Sequence, residues 1–148
     1  CLHKRRGIFA ETEHLEIDYR AGYSILNIYT LDGDKAVSLA SSYQRSKWYI
    51  NSDGLIINDS SYNLGYRELN VYSLDANSSR LKENLQLYIR WLEESDEIGL
   101  MESIDGGEDT VIDTVGDPED SRLYDKLVEV RDQYLVDLYQ LELVEISD

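Results

Sequence analysis

The chain has 148 residues, of which 42% are hydrophobic and 30% charged, with one proline and nine glycines. These values are typical of a single soluble globular domain and exclude a disordered or collagen-like chain. A formal net charge of −16 disfavours nucleic acid and anionic membrane surfaces and favours a basic protein partner or cations.

The negative charge is concentrated in the second half of the chain. Residues 75–148 carry 6 basic and 21 acidic groups, whereas residues 1–74 carry 8 basic and 9 acidic groups. The segment 93–120 holds twelve acidic residues and no Lys or Arg. The alternative to a binding role is that this charge only keeps the domain in solution.

Residues 1–13 are predicted to form a basic N-terminal arm, because Lys4, Arg5 and Arg6 are adjacent. This arm is expected to follow a membrane anchor or a precursor segment before Cys1, and a lipid-bearing cysteine exposed by signal cleavage is a further alternative. A single cysteine forms no internal disulfide and favours a reducing compartment. The expected location is cytoplasmic or facing the cytoplasm, with membrane association only through the segment before Cys1.

Residues 14–74 are predicted to form an antiparallel sheet of about five strands, because short stretches of period-two alternation are separated by turn signals. Asp32-Gly33-Asp34 and Ser52-Asp53-Gly54 each lie between two apolar stretches, and glycine accepts the positive φ that such turns require. Residues 59–65 are predicted to be a loop, and residues 66–74 the last strand.

Two helices are predicted to follow this sheet. Over residues 79–96 the apolar residues recur at helical spacing, as Leu81, Leu85, Tyr88 and Leu92. Residues 118–145 keep a similar spacing, with Asp117 at the N-cap and Pro118 at the first helical position. The chain is therefore predicted to be a single α+β domain over residues 14–148, with the sheet packed against both helices.

The predicted core consists of apolar residues from both halves of the chain. They are Ile17, Ile28, Val37, Ile50, Ile56, Val71, Leu85, Leu92, Leu127 and Val130. The acidic connector, residues 93–120, contains apolar residues on both sides of Gly106-Gly107. This pattern is compatible with a small hairpin and also with a disordered loop, since like charges repel and the glycine pair loosens the backbone.

No motif predicts a catalytic residue, a cofactor or a metal ion. His3 and His14 do not have the spacing of zinc ligands, and the acidic connector does not match a calcium-binding loop. No phosphate-binding loop and no nucleophile elbow occurs in the chain.

The predicted function is that of a non-catalytic domain whose acidic C-terminal half binds a basic protein, as an inhibitor, an immunity protein or an accessory subunit does. The carboxylates would attract the partner and the aliphatic side chains would anchor it. The predicted partner-binding residues are Glu102, Ile104, Asp105, Glu108, Asp109, Val111 and Asp113.

Two alternatives remain open from the sequence. The first is the soluble domain of a membrane-tethered protein, with the basic arm at the lipid surface. The second is a carboxylate-dependent hydrolase, because a catalytic pair of carboxylates is defined by its arrangement in space and not by sequence spacing.

Overall fold

The computed structural model describes residues 8–13, 25–41, 45–63, 66–75 and 77–138. Within these residues the chain forms nine strands in two antiparallel sheets, followed by one α-helix. Each strand pairs only with its neighbours along the chain, so each sheet is a meander. This arrangement confirms the predicted combination of antiparallel sheet and helix. The prediction of one five-stranded sheet with two helices is wrong.

The first sheet contains β1 (Ile8–Glu13), β2 (Ile25–Asp32) and β3 (Lys35–Ser41). The predicted turn at Gly33-Asp34 joins β2 to β3, and Gly33 has the positive φ, 65°, that such a turn requires. Residues 8–13, which the sequence assigned to the N-terminal arm, pair with β2. The strand predicted around Ile17 lies outside the described residues.

The second sheet contains β4 (Ser46–Ile50), β5 (Ile56–Asn63), β6 (Tyr66–Asp75), β7 (Arg80–Leu92), β8 (Glu97–Ile104) and β9 (Thr110–Val115). The predicted hairpin around Asp53-Gly54 is present, with Ile50 opposite Ile56. The loop predicted over residues 59–65 is wrong in its first part, because residues 59–63 continue β5 and pair with β6.

The helix predicted over residues 79–96 is also wrong, because this segment forms β7. The 13-residue strand pairs with β6 on one side and with β8 on the other. Its apolar residues Leu85, Leu87 and Ile89 alternate with polar residues and point to the hydrophobic core. The backbone groups of β7 find partners in both neighbouring strands, which stabilises the extended conformation over the helix.

The single described helix, α1 (Arg122–Tyr134), is shorter than the predicted range of 118–145. Asp117 is not the N-cap of α1, because its hydrogen bonds lie one turn before the helix. Its side chain accepts from the Glu119 N–H at 2.9 Å and its carbonyl accepts from the Asp120 N–H at 3.0 Å. This closes a separate turn before the helix begins, with Ser121 at the N-cap. At the other end the helix stops before Asp137, which has a positive φ of 52°. The rest of the predicted helix, residues 139–145, lies outside the described residues.

The core lies between α1 and one face of the second sheet, which we call the helix face. It is formed by Ile57, Leu69, Val71, Leu87, Ile89, Leu100 and Val115 of the sheet and by Leu123 and Leu127 of the helix. The other face of this sheet, which we call the opposite face, carries the residues that alternate with these. Of the predicted core residues, those that are buried are Ile28, Ile56, Val71 and Leu127. Those that are only partly buried are Val37, Ile50, Leu85, Leu92 and Val130.

Candidate functional site

The acidic connector contains an ordered hairpin formed by β8 and β9. Its tip, residues 105–109, is tied to β7 by a 3.0 Å hydrogen bond from the Asp105 N–H to the Asn84 carbonyl. A further bond of 3.0 Å joins the Ser103 hydroxyl to the Gly107 carbonyl. Asp105 and Gly106 both have positive φ, as a tight reversal of the chain requires. The sequence left open a small hairpin or a disordered loop for this segment, and the structure shows the hairpin.

Three aliphatic side chains of the hairpin are exposed to solvent: Ile104 by 57%, Val111 by 50% and Ile112 by 46%. A β-bulge explains two consecutive exposed residues. Met101 lies opposite Val111 and Leu100 lies opposite Asp113, so Ile112 has no opposing residue on β8. The bulge thus presents aliphatic side chains on the outermost strand of the second sheet.

Carboxylates lie close to these aliphatic residues along the hairpin. Among the described residues, Glu102, Glu108 and Asp109 form no ion pair. Asp109 accepts a 2.6 Å hydrogen bond from the Tyr88 hydroxyl, and the pKa of Tyr88 is raised by partial burial and by this carboxylate. Asp105 lies 3.7 Å from Lys82, but both side chains are exposed, so the pair is worth little. The tip therefore carries a largely uncompensated negative charge.

Asp113 has a different environment from the other predicted site residues, because its carboxylate pairs with side chains of α1. Its carboxylate forms an ion pair with Lys126 and lies 3.8 Å from the Arg122 guanidinium. The hydrogen bond from Lys126 lowers the pKa of Asp113, and a backbone hydrogen bond from Thr114 adds to the effect. Arg122 also donates to the Thr114 carbonyl at 2.7 Å. The hairpin thus brings the other six predicted residues to its tip or next to it, while Asp113 attaches β9 to α1.

Sequence reasoning missed a charged cluster centred on Asp59, which is buried on β5. Arg67 donates to both of its oxygens, from Nε at 3.0 Å and from Nη2 at 2.6 Å. Arg131 of α1 donates to the same carboxylate at 3.2 Å. The Arg67 guanidinium also lies 4.6 Å from the centre of the Tyr124 ring. The cluster joins β5, β6 and α1. The sequence did not predict it, because Asp59 lies in the segment that was predicted to be a loop.

This cluster has the properties of a structural ion-pair network. Each donor nitrogen of Arg67 is bound to Asp59 or to the Tyr124 hydroxyl, and each donor nitrogen of Arg131 is bound to Asp59 or Asp132. Asp59 is paired with arginines and not with a second carboxylate. In the part of the chain that the structure describes, no group of three or more His, Cys, Asp or Glu side chains is arranged to hold a metal ion.

No protein-family model, no curated protein and no solved structure matches this chain. Across the described residues, no helix is long and apolar enough to cross a membrane.

Proposed function

We propose that the tip of the β8–β9 hairpin binds a basic protein partner without catalysing a reaction. The observation that carries this proposal is the exposure of Ile104, Val111 and Ile112 on a hairpin whose carboxylates Glu102, Glu108 and Asp109 form no ion pair among the described residues. Exposed aliphatic residues on a hairpin that also carries unpaired carboxylates suit a partner that presents apolar side chains among lysines and arginines.

The hairpin supports this role because it is held in place before a partner arrives. The Asp105–Asn84 bond fixes the tip to β7, and the contacts of Asp113 with Lys126 and Arg122 fix β9 to α1. A preorganised surface loses less conformational entropy on binding than a mobile loop does. The same contacts explain why Asp113 contributes to the shape of the surface more than to its charge.

The two kinds of side chain are expected to act at different steps. Exposed carboxylates at the rim accelerate the encounter and lose their effect when salt screens charges beyond about 8–10 Å. Desolvated aliphatic residues hold the partner after contact and therefore slow its dissociation.

The test compares three proteins that differ in charge at chosen places. The hairpin variant carries Glu102→Gln, Glu108→Gln and Asp109→Asn. The matched control carries Glu93→Gln, Glu94→Gln and Asp96→Asn in the exposed turn between β7 and β8, so it loses the same number of charges elsewhere in the acidic connector. Proteins retained from a host lysate by the parent chain are identified and purified. Their association and dissociation rates are then measured at about 50 and about 300 mM salt.

The hairpin variant is expected to associate about tenfold more slowly than the parent at low salt, with a smaller difference at high salt. The control variant is expected to behave as the parent does. Ile104→Ser should accelerate dissociation, whereas Val136→Ser, at an equally exposed position after α1, should not. The proposal is wrong if hairpin and control variants retain the same proteins with the same rates.

The membrane-tether alternative depends on the segment before Cys1. It stays a prediction, and the coding sequence upstream of Cys1 tests it: an apolar run of about twenty residues there would support an anchor.

A further inference from the structure

The second sheet ends on one side at β9, which among the described residues pairs with β8 alone. An edge strand presents a row of backbone N–H and C=O groups that have no partner in the sheet. Such a row is a template for the backbone of another extended chain, so folded proteins usually cover it or protect it with charged side chains. The contacts along β9 therefore indicate whether a partner strand can pair with it.

The C-terminal part of β9 is closed by side chains. The Thr114 carbonyl accepts a hydrogen bond from Arg122 Nη2 of α1 at 2.7 Å, and the Thr114 N–H donates to Asp113 Oδ1 at 2.9 Å. A residue of an antiparallel strand directs both of its backbone groups to the same side. Both groups of Thr114 therefore point away from β8, and both already have a partner.

The N-terminal part of β9, residues 110–112, is open. Every residue from 104 to 112 is exposed, so no other part of the chain packs over this segment. Among the described residues, the side chains that hydrogen-bond to the backbone of β9 do so only at Thr114. The edge of β9 at residues 110–112 is therefore accessible to another chain.

The other edge of this sheet, β4, differs in two respects. The residues that follow β4 are covered, since Asn51 is bridged to Leu138 and the Ser52 N–H donates to the Asp137 carbonyl at 2.9 Å. β4 also carries the exposed Lys47, and a lysine on an edge strand opposes pairing. β9 carries no lysine or arginine. Of the two edges, β9 is the one that suits an additional basic strand.

The two faces of the β8–β9 hairpin determine which side chains such a strand should carry. Glu102 lies opposite Thr110 and Met101 lies opposite Val111, so these two pairs are on different faces of the sheet. A strand added beside β9 continues this alternation. Basic residues at every second position then share a face with Glu102, and aliphatic residues between them share a face with Val111.

We propose that the basic partner of the hairpin binds as an extended segment that adds a strand to β9 at residues 110–112, with lysine or arginine alternating with aliphatic residues. Backbone hydrogen bonds hold the segment, and its side chains select it. This inference rests on the function proposed above and specifies the conformation of the partner. A second copy of this chain is a poorer occupant, because both copies carry the same unpaired carboxylates and a net charge of −16.

The test uses the full chain and a defined probe, the acetylated and amidated peptide Lys-Val-Lys-Val-Lys-Val-Lys. The control peptide has the same side chains and charges, but every backbone nitrogen is methylated, so it has no backbone N–H to donate. The affinity of each peptide is measured by calorimetry at about 50 mM salt. The unmethylated peptide is expected to bind with a Kd below about 1 mM, and the methylated peptide about tenfold more weakly or less, because the backbone bonds to β9 are lost.

Amide hydrogen exchange, followed by NMR, locates the bound peptide. The unmethylated peptide is expected to slow the exchange of at least one amide among Thr110, Val111 and Ile112 by about tenfold. The Thr114 amide, which is already bonded to Asp113, and the amides of β4 are the internal controls and should not change.

Four results would overturn the proposal. They are the absence of saturable binding by the unmethylated peptide up to about 1 mM, equal affinity for the two peptides, slowed exchange in β4 instead of β9, and a dimer in sedimentation whose β9 amides are protected without peptide. Equal binding of both peptides that the hairpin charge variant loses would remove the added strand and leave the proposed function in place. The lysate comparison described above tests that function separately, so the two failures are distinguishable.

Discussion

At the scale of single residues, Asn51 joins distant parts of the chain. Its Oδ1 accepts hydrogen bonds from the Asp53 N–H at 3.1 Å and the Leu55 N–H at 3.0 Å, which organise the turn after β4. Its Nδ2 donates at 3.3 Å to the carbonyl of Tyr134, the last residue of α1. One buried amide therefore stabilises both the turn and the end of the helix.

Asn51→Ala is expected to lower the free energy of unfolding by about 1–3 kcal/mol, because it leaves three partly buried backbone groups without this partner. Asn51→Asp keeps the acceptor and loses the donor, so it should fall between Ala and the parent at a pH where the carboxylate is ionised. Urea unfolding measures both. The exposed turn residue Asn77 provides the control, and Asn77→Ala should change stability by less than about 0.5 kcal/mol. Equal effects at the two positions would contradict the assigned role of Asn51.

The Asp59 cluster gives a second prediction at this scale. Asp59→Ala leaves Arg67 and Arg131 partly buried without their counter-charge, which should cost about 3–5 kcal/mol of stability. Asp132→Ala is the matched control, since it removes an exposed carboxylate from the same Arg131. Its cost should stay below about 1 kcal/mol. A small loss in Asp59→Ala, measured by chemical unfolding, would show that the cluster does not hold α1 on the sheet.

At the scale of elements, local turn chemistry was the reliable part of the sequence. The hairpins at Gly33-Asp34 and Asp53-Gly54 were predicted because their geometry depends on a few adjacent residues. Local sequence could not predict whether residues 80–92 form a helix or the strand β7. Its leucines recur at helical spacing, and its Gln, Lys, Glu and Arg residues favour helix, while the alternation from Leu85 to Trp91 favours strand. Pairing with β6 and β8 decides between them, and these strands lie outside any local window.

The attachment of β9 to α1 makes a prediction about pH. The hydrogen bond from Lys126 lowers the pKa of Asp113 in the folded protein relative to the unfolded chain. A lowered carboxyl pKa adds stability above the unfolded pKa of about 4, and this stability is lost as the pH falls through the folded pKa. The Tm of the parent should therefore exceed that of Asp113→Asn at neutral pH, and the difference should shrink towards about pH 2.

Thermal unfolding at a series of pH values checks this expectation. Lys126→Met provides the partner control, because removing either side of the ion pair should flatten the same part of the profile. The double variant should then resemble the single ones. A difference between parent and Asp113→Asn that stays constant down to acid pH would show that the ion pair is not its cause.

At the scale of the whole molecule, composition identified the acidic half of the chain but did not predict its function. The sequence placed the hairpin residues near one another because they are neighbours along the chain. The sequence did not predict the Asp59 cluster or the polar residues on the opposite face of the second sheet. Their members lie on different strands, and only the pairing of those strands brings them together. Ser60 and Asn70, for example, appear in the sequence as ordinary polar residues, and only the β5–β6 pairing puts them on one buried face.

The meander topology has a consequence for how the chain acquires its structure. Within each sheet every strand pairs with the next one along the chain, so each pairing closes a short loop at low entropic cost. The bond between Asn51 and Tyr134, by contrast, joins residues 83 positions apart. Hairpins should therefore form early in folding, and the docking of α1 should come late, once the strands that receive it are assembled. During synthesis, α1 emerges from the ribosome after the nine described strands, in the same order.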